Sequence, residues 1–135
     1  MEDAVKGLGA DAPYWEALDR GELALPRCTS CGRWCWPAPF RCGSCGGWTF
    51  EWVSLPMTGV VYSWTRVWHP FGGAEDLDKP YVTASVALPQ ADGIRLFGLL
   101  EPGDRAEIGL PVVGRVCKTR PFGQETAAIR WTAAS

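Results

Sequence analysis

Only one histidine and two methionines occur in the 135 residues, and the chain is correspondingly poor in groups that usually move protons. His69 has no serine or cysteine set beside it as a nucleophile, and no GxSxG elbow, Walker loop, GxGxxG or HExxH is present. Glu75, Asp76 and Asp78 fall together in one polar stretch, where a solvated charge run is the simpler reading. Catalysis by this chain alone is therefore not expected. No apolar run approaches the roughly 20 residues that a bilayer-spanning helix needs, so no membrane span is expected either. Met1 to Ala10 carries Glu2, Asp3 and Lys6 and lacks the apolar centre of a secretory leader. The expected setting is reduced and cytoplasmic, where disulfides are rare. Low-complexity tracts are missing, and no internal repeat is evident. With 47% hydrophobic and 21% charged residues, the composition is that of a globular chain.

Cysteine is abundant by contrast. Four of the six are grouped as Cys28-Thr29-Ser30-Cys31-Gly32 and Cys42-Gly43-Ser44-Cys45-Gly46, with ten residues between the groups. Two tight turns of this kind bring two pairs of thiolates to one point, and the glycine after each pair supplies positive φ. Soft thiolates in all four positions favour zinc. A site closed by protein on every side has no place for a substrate, so the expected role of the metal is structural. Ligand type alone leaves iron in a rubredoxin-type electron carrier open. The residues beyond the knuckles look like a separate domain, which a dedicated one-iron carrier would not need. Cys35 and Cys117 lie outside the pattern and read as ordinary small buried side chains.

Charge is unevenly spread around a net −2. Residues 1–26 hold six acids against Lys6 and Arg20, whereas residues 27–45 carry Arg27, Arg33 and Arg41 and no acid. Those arginines are expected to offset the negative charge of a thiolate cluster. Eight tryptophans exceed what a core of this size can enclose. Some of Trp15, Trp34, Trp36, Trp48, Trp52, Trp64, Trp68 and Trp131 must reach the surface, where aromatics mark interfaces or ligand grooves. Local packing beside the metal is the plainest role for Trp34, Trp36 and Trp48.

The pattern along the chain divides it into an N-terminal helical segment (1–26), a zinc ribbon (27–54) and a β domain (55–135). Asp11 to Gly21 reads as a short helix, with Asp11 as its cap, Pro13 in its first turn and Gly21 just past its end. Tyr14, Trp15 and Leu18 share one face. Leu23-Ala24-Leu25 leads as a strand into the first knuckle, and Trp48 to Ser54 forms a strand after the second. In Gly59 to Trp68 the alternation sets Val60, Tyr62 and Trp64 against Val61, Ser63, Thr65 and Val67. Val82, Ala84, Val86 and Leu88 share a face, as do Ile94, Leu96, Gly98 and Leu100. Pro111 to Thr119 and Glu125 to Thr132 complete five strands, with one polar connector between the third and fourth. That order predicts a mostly β protein ending in a five-stranded OB-fold barrel.

A short helix, the ribbon GELALPRCTSCGRWCWPAPFRCGSCGG and then TGVVYSWTRV opening a barrel resemble the acyl-CoA-associated zinc-ribbon OB-fold family, a domain of unknown function with a rubredoxin-like ribbon. The likeness covers nearly the whole chain. It is carried by Trp15, the two knuckles, Pro37 and Pro39, Gly59 with Tyr62-Ser63-Trp64-Thr65, Tyr81-Val82 and Ile108-Gly109. Trp36 departs from it, standing where many relatives have a smaller residue. The resemblance implies a partner of the thiolase superfamily: a thiolase, an acyltransferase, or a lipid-transfer-protein-like aldolase that removes steroid side chains. The partner would carry the nucleophile and bases for a coenzyme A thioester, and this chain would stabilise it and border the acyl-CoA tunnel. A heterotetramer around a central dimer is the implied assembly. The aromatic excess favours the steroid branch.

Two patches are candidates for the partner interface or the tunnel. The longest barrel loop, 68–81, supplies Trp68, His69, Phe71 and Tyr81, with a locally packed hairpin loop as the alternative. Lys118, Arg120 and Phe122 near the last hairpin supply cations for the phosphates of coenzyme A. The rival function is a free-standing module that binds single-stranded nucleic acid, since OB barrels and zinc ribbons both do so. A pI near 5.4 argues against it, because phosphate binding draws on excess lysine and arginine.

Overall fold

The computed structural model describes residues 9–134, so most of the stretch read for a leader lies outside the described residues. Helix α1 (Ala12–Asp19) starts with proline in its first turn, where the missing N–H would have had no helical partner. The capping role expected of Asp11 is not realised, for its side chain bonds none of the first N–H groups. Its carboxylate accepts instead from Trp15 Nε1 at 3.1 Å, one turn along, and fixes that indole. The helix ends as the glycine predicts. Gly21 has φ +79°, its N–H reaches Leu18 O at 2.9 Å, and the Glu22 N–H reaches Ala17 O at 2.9 Å, the two bonds of a Schellman end. Tyr14, Ala17 and Leu18 are buried on the inner face.

Strands β1 (Leu23–Cys28) and β2 (Phe50–Leu55) pair antiparallel from Leu23↔Leu55 to Cys28↔Phe50, so the ladder delivers Cys28 straight into the first knuckle. Five further strands close into a barrel: β3 (Thr58–Val67), β4 (Tyr81–Leu88), β5 (Ile94–Leu100), β6 (Pro111–Thr119) and β7 (Thr126–Ala133). Their order around the barrel is β3-β4-β5-β7-β6, with only β5 and β7 parallel. This is the OB-like arrangement that the strand spacing predicts. Gly103–Arg105 forms the single helical turn in the polar connector. Gln90 Nε2 donates to Pro56 O and Thr58 O, both at 2.9 Å, and ties the link between β2 and β3 to the barrel.

One strand differs from the sequence pattern. The β3–β4 register jumps between Val61 and Ser63, leaving Tyr62 as a bulge. An extra residue inverts the alternation, so Val61 and Trp64 turn inward together while Tyr62 is 55% exposed. The larger of two cores joins the helix, β1 and the barrel, Tyr14, Leu18, Leu23 and Leu25 packing with Val61, Val86, Leu96 and Trp131, and a small second one holds Cys28, Cys35 and Cys42. Trp131 is wholly buried between two glycines. A Cβ on Gly98 would lie 2.8 Å from its indole, and one on Gly114 would lie 3.0 Å from it. Five other tryptophans (Trp15, Trp34, Trp36, Trp52 and Trp64) pack partly buried against the larger core. Trp48 and Trp68 remain 68% and 69% exposed. Trp36, the departure from the family pattern, lies against Tyr14 with ring centroids 4.5 Å apart.

Candidate metal centre and loop surface

The knuckles place Cys28, Cys31, Cys42 and Cys45 so that their Sγ atoms all lie within 4.8 Å of one another. Cys28 Sγ is 3.6 Å from Cys45 Sγ, and Cys31 Sγ is 3.7 Å from Cys42 Sγ. Sulfurs bound tetrahedrally at a zinc–sulfur distance of about 2.3 Å stand about 3.8 Å apart, so this donor set fits zinc. Each knuckle closes by the same bonds. The N–H of Cys28 reaches Arg33 O and that of Cys42 reaches Gly47 O, both at 2.8 Å; Gly32 and Gly46 donate back to Cys28 O and Cys42 O, both at 2.9 Å. Gly47 is a member that the spacing did not single out. A Cβ there would meet Ser30 Oγ at 3.2 Å, Cys45 Sγ at 3.3 Å and Cys28 Sγ at 3.4 Å.

Backbone amides set the electrostatics of the thiols. The Cys42 thiol is pulled down to about 6 by the backbone N–H groups of Cys45 and Ser44, and Cys28 is lowered chiefly by that of Cys31. At Cys45 the Gly47 N–H acts downward, but contact with the Cys28 and Cys31 thiols prevails and raises it to about 11. The amide bonds thus favour the thiolate at Cys28 and Cys42, the form in which a cysteine binds a cation. Cys35 lies beside the cluster, buried with Cys28 and Cys42, and burial pushes its thiol up to about 11. Its Sγ faces Arg33 O at 3.5 Å. Cys117, expected to be buried, is half-buried on β6.

A repeat absent from the sequence reading emerges here. Arg-Cys-x-Ser-Cys-Gly-x-Trp occurs at residues 27–34 and again at 41–48. Arg27 Nε donates to Gly32 O at 2.9 Å, and its guanidinium lies over Trp34 at 5.5 Å. Arg41 Nε donates to Gly46 O at 3.0 Å, and its guanidinium lies over Trp48 at 5.4 Å. Matching the cysteines alone hides this repeat; including the flanking arginine and tryptophan reveals it.

The loop candidates are partly brought together. Phe122 holds a left-handed φ of +55°, rare for a bulky residue, and a Cβ on Gly73 would lie 3.0 Å from its ring. The β6–β7 loop thus rests on the β3–β4 loop, where the His69 and Phe71 rings have centroids 4.5 Å apart. Trp68, Phe71 and Phe122 are all exposed. The Gly73 N–H also holds Glu75 at 3.0 Å and lowers its carboxyl below the usual range. Tyr81 is separate, lining a cleft of about 250 Å³ with Asp76, Asp78, Glu101 and Arg130. Lys118 reaches Asp19 at 4.0 Å, and Arg120 reaches Glu125 at 3.9 Å. A second cleft of about 300 Å³, which sequence reasoning missed, is lined by Tyr14, Trp15, Leu77, Phe97, Leu99 and Ile129 among others. Its walls come from α1, the β3–β4 loop and strands β4 to β7, so no local sequence signal marks it.

The family model described as "ChsH2, rubredoxin-like zinc ribbon domain" matches residues 15–51, and that described as "ChsH2, C-terminal OB-fold domain" matches residues 52–116. Among solved structures, a chain described as "Ltp2-ChsH2(DUF35) aldolase" is similar at 30% identity, with a TM-score of 0.81, over 96% of this chain and 98% of that one. A protein of unknown function from the DUF35 family of Sulfolobus solfataricus shares the fold at 20% identity and a TM-score of 0.62, over 99% of this chain and 93% of that one. No curated protein sequence matches the chain. The two domain models lie in the same order as the ribbon and the barrel, and with the near full-length likeness they show that the chain belongs to the ChsH2 (DUF35) family of zinc-ribbon, OB-fold proteins.

Proposed function

We propose that this chain is a non-catalytic accessory subunit that binds and stabilises a thiolase-superfamily enzyme acting on a carbon–carbon bond of an acyl-CoA thioester. The observation that carries the reading is the near full-length likeness to a chain described as part of an aldolase. Among the described residues His69 packs on Phe71 and has no hydroxyl or thiol partner, which is consistent with a partner that supplies the chemistry. Of the three reactions implied, the likeness favours retro-aldol cleavage, and the exposed aromatics suit a bulky, steroid-sized acyl group. Zinc at the four cysteines serves to fold the ribbon.

The touching β3–β4 and β6–β7 loops, with Trp68, His69, Phe71 and Phe122, form the surface that meets the enzyme. Tyr81 borders the acyl-CoA tunnel. Lys118 and Arg120 are engaged in exposed ion pairs worth little in water, which leaves both cations able to exchange toward coenzyme A phosphates. Two copies flanking a central enzyme dimer satisfy the symmetry of such assemblies.

Co-expression with the thiolase-fold protein encoded nearest to the chain, followed by size-exclusion chromatography, metal analysis and acyl-CoA turnover, tests the reading. The expected result is a stable zinc-containing complex whose activity disappears when this chain is left out. A zinc-bearing monomer that ignores the neighbour, or an enzyme equally active without it, overturns the proposal.

A further inference from the structure

The repeated Arg–Trp knuckles do more than close the metal site. In each, the arginine Nε is committed to a knuckle carbonyl and the guanidinium plane is held over an indole. The two terminal nitrogens of each arginine have no hydrogen-bond or ion-pair partner among the described residues. A guanidinium fixed in this way presents a preoriented fork of donors, the geometry that grips a carboxylate through two parallel bonds. Because the side chain is already immobilised, little conformational entropy is lost when a carboxylate arrives.

The surroundings reinforce the point. No acid occurs from residue 27 to residue 50, and Arg33 adds a third exposed cation without a partner among the described residues. Glu51 faces Arg27 across the β1–β2 ladder without forming an ion pair, so the Arg41 fork is the less encumbered of the two. The Trp48 indole under Arg41 is 68% exposed, and Phe40, next to Arg41 in sequence, is 66% exposed. Arginine and tryptophan around an apolar centre are what tight protein interfaces use most, whereas a polynucleotide site would need a basic chain rather than one of net charge −2.

We infer that the exposed Arg41–Trp48 clamp, in the acid-free stretch of the ribbon that also carries Arg33 and Phe40, is a second docking surface that takes a carboxylate-bearing protein face with an apolar contact for Trp48. The inference rests on the proposed function in one respect: the acidic face belongs to the thiolase-fold partner. It adds a contact on the metal-binding ribbon to the one proposed for the barrel loops.

The test is binding of that thiolase-fold protein by wild type and by Arg33→Glu, Arg41→Glu and Trp48→Ala, at low and high ionic strength. Arg33→Glu removes no knuckle bond, and zinc content with tryptophan emission reports whether Arg41→Glu and Trp48→Ala leave the ribbon intact. The expected result is a loss of affinity of about tenfold or more for Arg41→Glu, a smaller loss for Arg33→Glu, and a wild-type affinity that falls with salt. Arg41→Lys is expected to recover the salt dependence but only part of the affinity, since an ammonium lacks the fork. Wild-type affinity in Arg33→Glu and in zinc-loaded Arg41→Glu overturns this inference while the accessory-subunit reading stands. Absence of any complex with wild type overturns both.

Discussion

At the scale of single residues, glycine and tryptophan depend on each other in the barrel. Trp131 fills the interior only because Gly98 and Gly114 have no side chain there, and the would-be Cβ of Gly98 also meets Ile129 O at 2.9 Å. A backbone oxygen cannot swing aside, so Gly98→Ala is expected to lose about 1–3 kcal/mol by overpacking, read from urea unfolding. A stability equal to wild type would mean that the indole has room to shift. Tyr14 offers a separate test. Burial raises its phenol to about 12 from an ordinary 10, so the folded state keeps a proton that the unfolded state has given up. Stability is then whole below pH 10 and declines as pH rises from 10 through about 12, by up to about 2–3 kcal/mol. Tyr14→Phe should remove that alkaline slope in a pH series of unfolding midpoints. The cysteine ligands were legible from spacing because metal geometry demands it; Gly47, the glycine pair and the Arg–Trp clamps were not, because their roles exist only once neighbours close around them.

At the scale of elements, local periodicity foretold α1, β4 and β5 well, since each buries one face against the same core, whereas β1 is buried on both faces from Leu23 to Pro26 and has no alternation to read. It misjudged β3, where one bulged residue inverts the alternation and no sequence cue sets the bulge at Tyr62. Asp11 shows the same limit, for cap geometry depends on where the backbone enters the helix, and Trp15 offers the carboxylate a better donor. The loops carry the functional prediction at this scale. Phe122 and Trp68 are exposed and contribute little burial, so Phe122→Ala and Trp68→Ala are expected to leave the folding midpoint nearly unchanged. Each should nonetheless weaken the enzyme complex by about 1–3 kcal/mol if the loops face the partner, measured by titration calorimetry. Full affinity in both variants would remove the loops from the interface.

At the scale of the whole molecule, the question is whether ribbon and barrel fold as one. The metal binds at one end, yet β1 runs from the knuckle back into the shared core, where Leu23 and Leu25 are each 1% exposed and pack with Leu18 and the barrel residues. A structural thiolate site contributes on the order of 10–16 kcal/mol of apparent binding energy, comparable to the entire stability of a domain of this size. Removing zinc should therefore do more than loosen two knuckles. Without the metal holding Cys28, β1 loses its anchor, α1 loses the strand it packs on, and the shared core loses Leu23 and Leu25. Chelation, or Cys31→Ser with Cys45→Ser, is expected to lower the thermal midpoint of the whole chain in one transition, with ribbon and barrel signals changing together. Tryptophan emission reports the ribbon through Trp34, Trp36 and Trp48, and amide exchange in β4 and β5 reports the barrel. If barrel amides stay protected while ribbon emission changes, the two parts are independent folding units, and zinc serves the ribbon alone. Coincident loss means that the metal governs the surface the barrel presents, so a partner that binds only the barrel would still release the chain when zinc is withdrawn.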